Sequence, residues 1–261
     1  MRIVRFQRME DLSKEENPQF GWVYENKIGR IVGDIFFEYQ REEATIPISE
    51  ARLYAPIIPG KVVCVGRNYA AHAAEHDAEV PEYPLIFLKP PSCVIGPGDP
   101  VILPPQSNQV EHEAELAIVI GKRGRWLQMD AALDIVFGYT IANDVTARDL
   151  QFKDGQWTRG KGFDTFLPLG PWIDTEFDPN DTMVTCHVND ELRQMAPSRD
   201  MVFSISELIV FITSFMTLNP GDLILTGTPS GVGPLKHADE VTIRIERLGE
   251  LRNPVELETR R

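Results

Sequence analysis

The sequence predicts an α+β fold that is rich in β-structure and carries few helices. Apolar runs of about four to eight residues, bounded by Gly, Pro, Asn or Asp, recur along the chain and are typical of buried strands. Helix signals are few, and the clearest begins at Ser204. The 261 residues can bury a large core. We expect a small N-terminal β-unit at residues 1–54 and a larger domain at residues 55–261, with a Pro-bounded segment at the junction.

The overall charge limits the classes of partner. The formal net charge of −13 argues against nucleic acid and against anionic membrane surfaces. It does not exclude an anionic substrate, because a local metal ion or lysine can invert the field around a site.

The cysteines and the apolar segments predict the cellular compartment in which the protein is found. Cys64, Cys93 and Cys186 lie in or beside apolar runs without Cys-x-x-Cys spacing, which favours buried thiols in a reducing environment. The first residues lack a signal-peptide apolar region, and the longest apolar run, residues 208–218, is too short to span a bilayer. We therefore expect a cytoplasmic protein that does not bind membranes.

In chain order, strands are predicted at residues 2–6, 21–24, 30–37 and 61–65, with a hairpin turn at 26–29. A helix follows at residues 70–76, on which His72 and Glu75 share one face. A carboxylate beside a histidine can raise its basicity, as a general base requires, or the pair can be incidental on an exposed helix. Arg67, just before the helix, could bind a substrate carboxylate or hold a loop.

Carboxylates lead directly into the next buried strand. A strand is predicted at residues 85–89 and a loop with short extended pieces at 90–109. Glu111, Glu113 and Glu115 then precede the apolar run 117–120, which Gly121 closes. On a strand, Glu113 and Glu115 point to the same side, roughly 7 Å apart at the backbone. Such charges resist burial unless a hard divalent cation binds them, and the alternative is a solvated acidic strand end.

A third carboxylate occurs at a strand-to-helix junction. A helix is predicted at residues 130–137 and a strand at 139–142, and Asp144 lies in the segment 143–151 that follows. It could complete an octahedral Mg²⁺ or Mn²⁺ site with Glu113 and Glu115. It could instead cap the following helix, a role that Thr146 could also take.

The C-terminal half adds two candidate anion-binding loops. Lys161 lies in a predicted loop at 161–171, where it could bind an oxyanion or be an ordinary loop lysine. A hairpin at 182–195, a helix from the Ser204/Glu207 capping box to about Leu218, and a strand at 223–225 follow. The Gly-rich loop 226–233 lacks a phosphate-loop signature but can bring Thr228 close to a small anion, and a hairpin at 241–258 ends the chain.

Taken together, six segments resemble the fumarylacetoacetate hydrolase superfamily, in that family's order and over roughly residues 55–258. They are Val65-Gly-Arg-Asn-Tyr-Ala-Ala-His-Ala-Ala-Glu75, Phe87-Leu-Lys-Pro-Pro91, Glu113-Ala-Glu-Leu-Ala-Ile-Val-Ile-Gly121, Gly138-Tyr-Thr-Ile-Ala-Asn-Asp-Val-Thr-Ala-Arg-Asp-Leu-Gln151, Lys161-Gly-Phe-Asp-Thr-Phe-Leu-Pro-Leu-Gly-Pro171 and Leu225-Thr-Gly-Thr-Pro-Ser-Gly-Val-Gly233.

The resemblance implies a mixed β-roll, a homodimer and a set of site residues. The implied metal is Mg²⁺ or Mn²⁺, with Ca²⁺ as a substitute. The implied residues are Glu113, Glu115 and Asp144 as metal ligands, His72 and Glu75 as a general-base pair on a lid-like helix, and Lys161, Gln151, Thr228 and Arg67 against the substrate. The eukaryotic hydrolase that names the family adds an N-terminal aspartate ligand. We find no match for it, so the chain is more similar to the shorter bacterial and mitochondrial branch.

The implied chemistry is that of 2-oxo acids. We expect a metal-dependent enzyme that hydrolyses the carbon–carbon bond of an acylpyruvate through a metal-stabilised enolate. Because that branch also contains oxaloacetate decarboxylases and 2-hydroxyhepta-2,4-diene-1,7-dioate isomerases, decarboxylation and isomerisation are the alternatives. From other classes, a non-catalytic metal-binding module and a purely structural Ca²⁺ site stay open. A structural site would be closed, whereas a catalytic site keeps positions for substrate.

Overall fold

The computed structural model describes residues 1–13, 17–75 and 77–259, which form three sheets and four α-helices. The predicted β-rich α+β class is confirmed. No helix in these ranges is long and apolar enough to cross a membrane. In chain order the strands are β1 (Arg2–Arg8), β2 (Gln19–Tyr24), β3 (Lys27–Gly33), β4 (Tyr39–Arg41), β5 (Ile46–Pro47), β6 (Ala51–Tyr54), β7 (Val62–Gly66), β8 (Leu85–Lys89), β9 (Val94–Ile95), β10 (Val101–Leu103), β11 (Val110–His112), β12 (Ala114–Ile120), β13 (Val136–Asn143), β14 (Thr146–Ala147), β15 (Leu167–Asp174), β16 (Met183–Val188), β17 (Glu191–Pro197), β18 (Leu223–Leu225), β19 (Gly233–Pro234), β20 (Glu240–Ile245) and β21 (Gly249–Leu257).

The largest sheet passes through the centre of the molecule. Its strands follow the order β4-β3-β2-β1-β15-β13-β12-β18-β7-β8, and β5, β6 and β9 pair with β3, β1 and β15. Strand β12 lies between β13 and β18, both antiparallel to it, and every one of its residues is buried. A strand covered on both faces needs a nearly continuous apolar sequence, which Leu116 to Ile120 supply. The acidic residues at the start of β12 are therefore held against the core.

The predicted N-terminal β-unit is present as strands β1 to β6. It has a small core of its own, formed by Val4, Phe6, Ile28, Ile46 and Ala51. Strand β1 also pairs with β15, so the unit extends the large sheet. The strand predicted at residues 30–37 was placed too far along the chain. Strand β3 begins at Lys27, inside the turn predicted at 26–29, because Lys27 pairs with Tyr24. It ends at Gly33, whose backbone has a φ of +116° and breaks the extended conformation.

Two smaller sheets complete the structure around the acidic segment. One has the strand order β10-β21-β20-β16-β17 and contains both predicted C-terminal hairpins. The other has the order β14-β11-β19 and joins the acidic segment to the strand-to-helix junction and the Gly-rich loop. Three separate parts of the sequence thus meet at one edge of the core.

The helices are α1 (Ala70–Glu75), α2 (Arg148–Asp154), α3 (Thr158–Lys161) and α4 (Ile205–Phe215). Helix α1 matches the predicted segment up to Glu75, and His76 lies outside the described residues. The capping box of α4 is confirmed: Ser204 Oγ accepts from the Glu207 amide, and Glu207 Oε2 accepts from the Ser204 amide at 2.7 Å. The helix ends three residues before the predicted Leu218, whose backbone pairs with Gly124.

Two local predictions were wrong. Residues 130–137 do not form an α-helix. A 3-10 helix spans Met129–Ile135, and Val136 already begins β13 because it pairs with Ile120 of β12. The predicted loop at 161–171 contains the end of α3 and most of β15. Its Pro and Gly residues indicate a loop, but this part of β15 pairs with β9 and β13, and the pairing overrides local propensity.

Candidate active site

The strand pairing brings Asp144 to the acidic segment. Glu113 lies between β11 and β12, and Glu115 is the second residue of β12. The Glu113 amide donates to Asn143 Oδ1, and the Asp144 amide donates to the Glu113 carbonyl, both at 2.9 Å. These bonds fix the end of β13 beside Glu113. Asp144, 31 positions further along the sequence, therefore lies next to the two glutamates.

The three carboxylates form one buried cluster. Each has one oxygen within 4.8 Å of the others, and Glu113, Glu115 and Asp144 are 4, 2 and 1 % exposed. This burial excludes the solvated strand end that the sequence left open. Asp144 does not cap α2 either, because Ala147 holds the N-cap position and no side chain caps it. The single hydroxyl proton of Thr146 is shared instead between Glu113 Oε1 and the Asp144 carbonyl, which lie 3.1 and 2.9 Å from Oγ1.

Three buried cations surround the carboxylates. Lys161 Nζ donates to Glu113 Oε2 and to Asp144 Oδ2, each at 2.7 Å. Lys89 Nζ donates to Asp144 Oδ1 at 2.7 Å, and Arg148 Nη2 donates to Glu113 Oε1 at 2.6 Å. Sequence reasoning selected Lys161 and missed Lys89 and Arg148. A signal existed for Lys89, since a lysine that ends an apolar strand is rarely buried without an acidic partner.

The ionisation of these groups follows from the contacts. Burial would raise the pKa of Glu113, but Lys161 and Arg148 outweigh it and hold this pKa well below its usual range. Burial also opposes the charge on Lys161, yet Asp144 and Glu113 raise its pKa. Glu115 differs, because burial and the charges of Asp144 and Glu113 all raise its pKa well above the ordinary value. Its Oε2 accepts the Gly227 amide at 2.7 Å.

The buried carboxylates at the site outnumber the buried cations there. They are Glu111, Glu113, Glu115 and Asp144, against Lys89, Arg148 and Lys161. Burial and the neighbouring negative charges therefore raise the pKa of Glu115. A divalent cation would offset this excess, and a set of carboxylate oxygens is what Mg²⁺, Mn²⁺ and Ca²⁺ prefer. The residues therefore fit a hard divalent cation. Among the described residues no further Asp, Glu, His or Cys joins the cluster, which agrees with three protein ligands.

A pocket opens onto the carboxylates, and eight of the nine predicted site residues line it. Its volume is about 570 Å³, which includes the part open to solvent. Besides the three carboxylates, the predicted residues at its wall are Arg67, His72, Gln151, Lys161 and Thr228. The ninth, Glu75, contacts the wall through His72. A pocket that reaches the carboxylates leaves access for a substrate, unlike a closed structural site.

His72 and Glu75 interact on α1. His72 is buried, and its Nδ1 lies 3.4 Å from Glu75 Oε2. The Gly231 amide donates to the Glu75 carboxylate at 3.0 and 3.1 Å, so the Gly-rich loop holds this carboxylate. The predicted histidine–carboxylate pair is thus present, with the imidazole at the pocket wall.

Arg67 has an unusual backbone conformation. Its φ is +57°, a region that costs energy for a residue with a side chain and recurs at functional sites. The buried Asn68 fixes it: Asn68 Nδ2 donates to the carbonyls of Phe203 and Thr226 at 3.1 and 2.8 Å, and its Oδ1 accepts the Phe203 amide. In the described part of the chain, no hydrogen-bond or ion-pair partner is found for the half-buried Arg67 guanidinium, which lines the pocket.

Two polar side chains of the pocket are each oriented by a hydrogen bond from a neighbouring side chain. Gln151 Oε1 accepts from Arg148 Nη1 at 2.7 Å, which leaves the Gln151 amide nitrogen as a donor. Thr228 Oγ1 accepts from Gln194 Nε2 at 2.7 Å. Sequence reasoning missed Gln194, because it lies on β17, far from every quoted motif.

An aromatic wall faces the polar end of the pocket. It consists of Phe87, Phe152 and Trp157, and the rings of Phe87 and Trp157 meet edge to face at 5.1 Å. Gly66, at the end of β7, permits this packing, since a Cβ there would lie 2.7 Å from the Trp157 ring. These aromatic contacts were not predicted. They make one side of the pocket apolar.

Comparisons with known proteins agree with this architecture. The sequence model described as "Fumarylacetoacetate (FAA) hydrolase C-terminal" matches residues 61–256. A second, described as "Rv2993c-like, N-terminal", matches residues 1–56. Among curated proteins, the bovine mitochondrial oxaloacetate tautomerase FAHD2B is 48 % identical over 223 residues, which cover 80 % of this chain and 71 % of that protein.

Solved structures are similar over almost the whole chain. The 2-hydroxyhepta-2,4-diene-1,7-dioate isomerase from Mycobacterium marinum is 40 % identical with a TM-score of 0.88, and all of both chains is covered. The maleylpyruvate hydrolase from Sphingobium sp. SYK-6, in complex with manganese(II) and pyruvate, is 34 % identical with a TM-score of 0.81. That match covers 99 % of this chain and 100 % of the other.

Proposed function

The chain belongs to the fumarylacetoacetate hydrolase superfamily, and from this premise we propose that it is a divalent-metal-dependent enzyme acting on a small 2-oxo acid. The observation that carries the proposal is the cluster of Glu113, Glu115 and Asp144, buried within 4.8 Å of one another at the end of an open pocket. The relative whose structure holds manganese(II) and pyruvate supports both the metal and the substrate class, since pyruvate is a 2-oxo acid.

We propose that Glu113, Glu115 and Asp144 hold Mg²⁺ or Mn²⁺. When bound, the cation acts as a Lewis acid that draws electron density from the 2-oxo group and makes the neighbouring C–H acidic. Lys161 lies between two of these carboxylates and adds positive charge where the oxo group gains negative charge. Arg67, on the pocket wall, binds the carboxylate of the substrate.

His72 is the proposed base. Its Nδ1 lies 3.4 Å from Glu75 Oε2, so Nδ1 can donate a hydrogen bond to that carboxylate, and Nε2 is the proposed acceptor of the substrate proton. The held Glu75 stabilises the imidazolium that results. His72 then returns the proton to another atom of the same substrate, which completes a keto–enol or double-bond shift.

We propose this proton transfer, a tautomerisation or isomerisation, as the reaction. It is supported by 48 % identity to an oxaloacetate tautomerase and 40 % to a dienedioate isomerase, against 34 % to a maleylpyruvate hydrolase. Hydrolysis of an acylpyruvate is the second candidate. It is supported by the His72–Glu75 pair, which could equally activate a water against the distal carbonyl.

The test offers three substrates separately to the Mn²⁺-loaded protein: the enol form of oxaloacetate, acetylpyruvate and fumarylpyruvate. Tautomerisation is followed as the accelerated loss of enol absorbance without formation of pyruvate. Hydrolysis gives pyruvate plus the free acyl acid, and decarboxylation gives pyruvate plus carbon dioxide. An EDTA-treated sample and a Glu113→Ala variant are the controls, and both should be inactive. Metal binding without turnover of any of the three would contradict the proposal.

The role of the base is tested by His72→Ala, with His237→Ala as the matched control because His237 is exposed and away from the pocket. We expect His72→Ala to lower kcat by about 10²-fold or more while Mn²⁺ affinity is unchanged. His237→Ala should match the wild type. Full activity of His72→Ala would remove His72 from the mechanism.

We also propose a homodimer, as the family resemblance implies, and sedimentation velocity tests it.

A further inference from the structure

The side-chain amide of Gln194 contacts three segments around the site: β11, β12 and the Gly-rich loop. Gln194 is fully buried on β17, in the five-stranded sheet. Its Oε1 accepts the Ala114 amide at 3.0 Å and lies 2.9 Å from His112 Nδ1. Its Nε2 donates to Thr228 Oγ1 and to the Pro229 carbonyl, both at 2.7 Å. All four hydrogen-bonding positions of the amide are therefore occupied.

The partners of Gln194 leave one orientation for the amide. The Ala114 amide can only donate and the Pro229 carbonyl can only accept, so the oxygen and the nitrogen of Gln194 cannot be exchanged. The Thr228 hydroxyl must consequently accept a hydrogen bond from Gln194. A hydroxyl that accepts keeps its own proton for another partner.

That proton is available to the pocket. Thr228 is 2 % exposed and lines the pocket with the three carboxylates. Within the ranges that the structure describes, no acceptor for its hydroxyl proton is found. A buried hydroxyl with an unused proton favours a ligand that brings an acceptor oxygen.

We propose that Gln194 is a positioning residue that makes Thr228 an obligate hydrogen-bond donor to a carboxylate or oxo oxygen of the substrate. The inference rests on the proposed function, since it concerns the same pocket. Gln151 is fixed in the same sense by Arg148, so both neutral side chains present donors. A pocket that offers donors selects an acceptor-rich anion, which agrees with a 2-oxo acid.

Oxalate, a small dianion that offers only acceptor oxygens, is the probe. Its binding to the Mn²⁺-loaded protein is measured by calorimetry, so the result does not depend on which reaction is catalysed. The variants are Thr228→Val, Gln194→Glu and the double variant. Gln194→Glu keeps the acceptor toward Ala114 and removes the donor toward Thr228. If Gln194→Glu does not fold, Gln194→Met takes its place in the same cycle.

Two matched controls separate positioning from stability. Thr226→Val removes a buried hydroxyl in the same loop, one that donates to the Leu116 carbonyl. Asn253→Asp changes a buried amide to an acid elsewhere, where Nδ2 donates to the carbonyls of Gly96 and Asp99. Both should lower Tm and leave the oxalate Kd within about twofold of the wild type, because neither residue lines the pocket.

Each single variant at Gln194 or Thr228 should weaken oxalate binding about tenfold or more, as expected for a lost hydrogen bond to a charged group. The double variant should bind no more weakly than Thr228→Val alone, because Gln194 acts through Thr228. The Mn²⁺ affinity should be unchanged. Additive losses, wild-type oxalate affinity in Gln194→Glu, or a parallel loss of Mn²⁺ affinity would each overturn this inference while leaving the proposed function intact. If the wild type binds no oxalate and turns over no 2-oxo acid, both proposals fail.

Discussion

Replacing Glu115 with Gln should have opposite effects with and without a divalent metal. Glu115 is buried beside Glu113 and Asp144, and one backbone amide, that of Gly227, donates to it. Burial and the two neighbouring charges raise its pKa. A carboxyl whose pKa is raised by folding stabilises the protein at low pH and loses that contribution as the pH rises through the folded-state pKa. The metal-free protein at neutral pH therefore carries an electrostatic penalty that the amide removes.

The magnitude follows from the site. An incompletely compensated buried group costs about 1–3 kcal/mol, so Glu115→Gln should raise the free energy of unfolding of the metal-free protein by that amount. In the wild type, Mn²⁺ at 100 times its Kd should add about 2.7 kcal/mol. For a chain of this size, 1 kcal/mol corresponds to roughly 2–4 °C in Tm. The variant should lose most of the metal-induced increase, because it lacks one of the three carboxylates.

The assay is differential scanning calorimetry with EDTA and with Mn²⁺. Glu111→Gln is the matched control: Glu111 is equally buried, but its Oε2 accepts from Arg148 Nε at 2.7 Å, and it lies outside the carboxylate cluster. This control should destabilise the metal-free protein by about 1–3 kcal/mol, because it weakens a buried ion pair, and should keep the Mn²⁺ effect. The reasoning is refuted if Glu115→Gln destabilises the EDTA-treated protein as Glu111→Gln does, or if Mn²⁺ stabilises it as much as the wild type.

Three further predictions concern residues around the site and the helix cap. Ser204→Ala should lower the free energy of unfolding by about 1 kcal/mol in urea titrations. Because hydrogen bonds from Ser204 lower the pKa of Glu207, this difference should be present at neutral pH and shrink as the pH falls below about 4, and a pH-independent difference would contradict it. Gly66→Ala places a Cβ 2.7 Å from the Trp157 ring, so it should change tryptophan fluorescence and raise KM. Wild-type values of both would show that the aromatic wall can accommodate the added methyl group. Lys89→Met removes a buried cation from a buried carboxylate and should cost about 3–5 kcal/mol in urea, and a loss below 1 kcal/mol would exclude Lys89 as a structural counter-ion.

Much of the fold and most of the candidate site could be predicted because their signals are local. The continuous apolar run after Glu115 identifies a doubly covered strand, and Ser204 with Glu207 identifies a helix start. Residue type fixes chemistry in the same way, since closely spaced carboxylates favour a hard cation wherever they converge. Eight predicted site residues accordingly line one pocket.

Local signals failed where strand pairing decides the outcome. Residues 167–171 contain two prolines and a glycine and were predicted as loop, yet they belong to β15 because its first two residues pair with β9 and its next two with β13. Residues 136 and 137 join β13 for the same reason. The hydrogen bonds of a strand are made with residues far away in sequence, so no window around the strand contains them.

The sequence by itself determined the kind of chemistry, namely a set of carboxylates, a histidine–glutamate pair and a lysine in a β-rich chain. The tertiary structure decided how these groups are charged and oriented. Lys89 and Gln194 contact Asp144 and Thr228 across 55 and 34 residues of sequence. Burial gives these contacts their effect, because a charge or an amide removed from water must find its hydrogen-bond partners within the protein. Those partners then fix the direction of the donors that face the substrate.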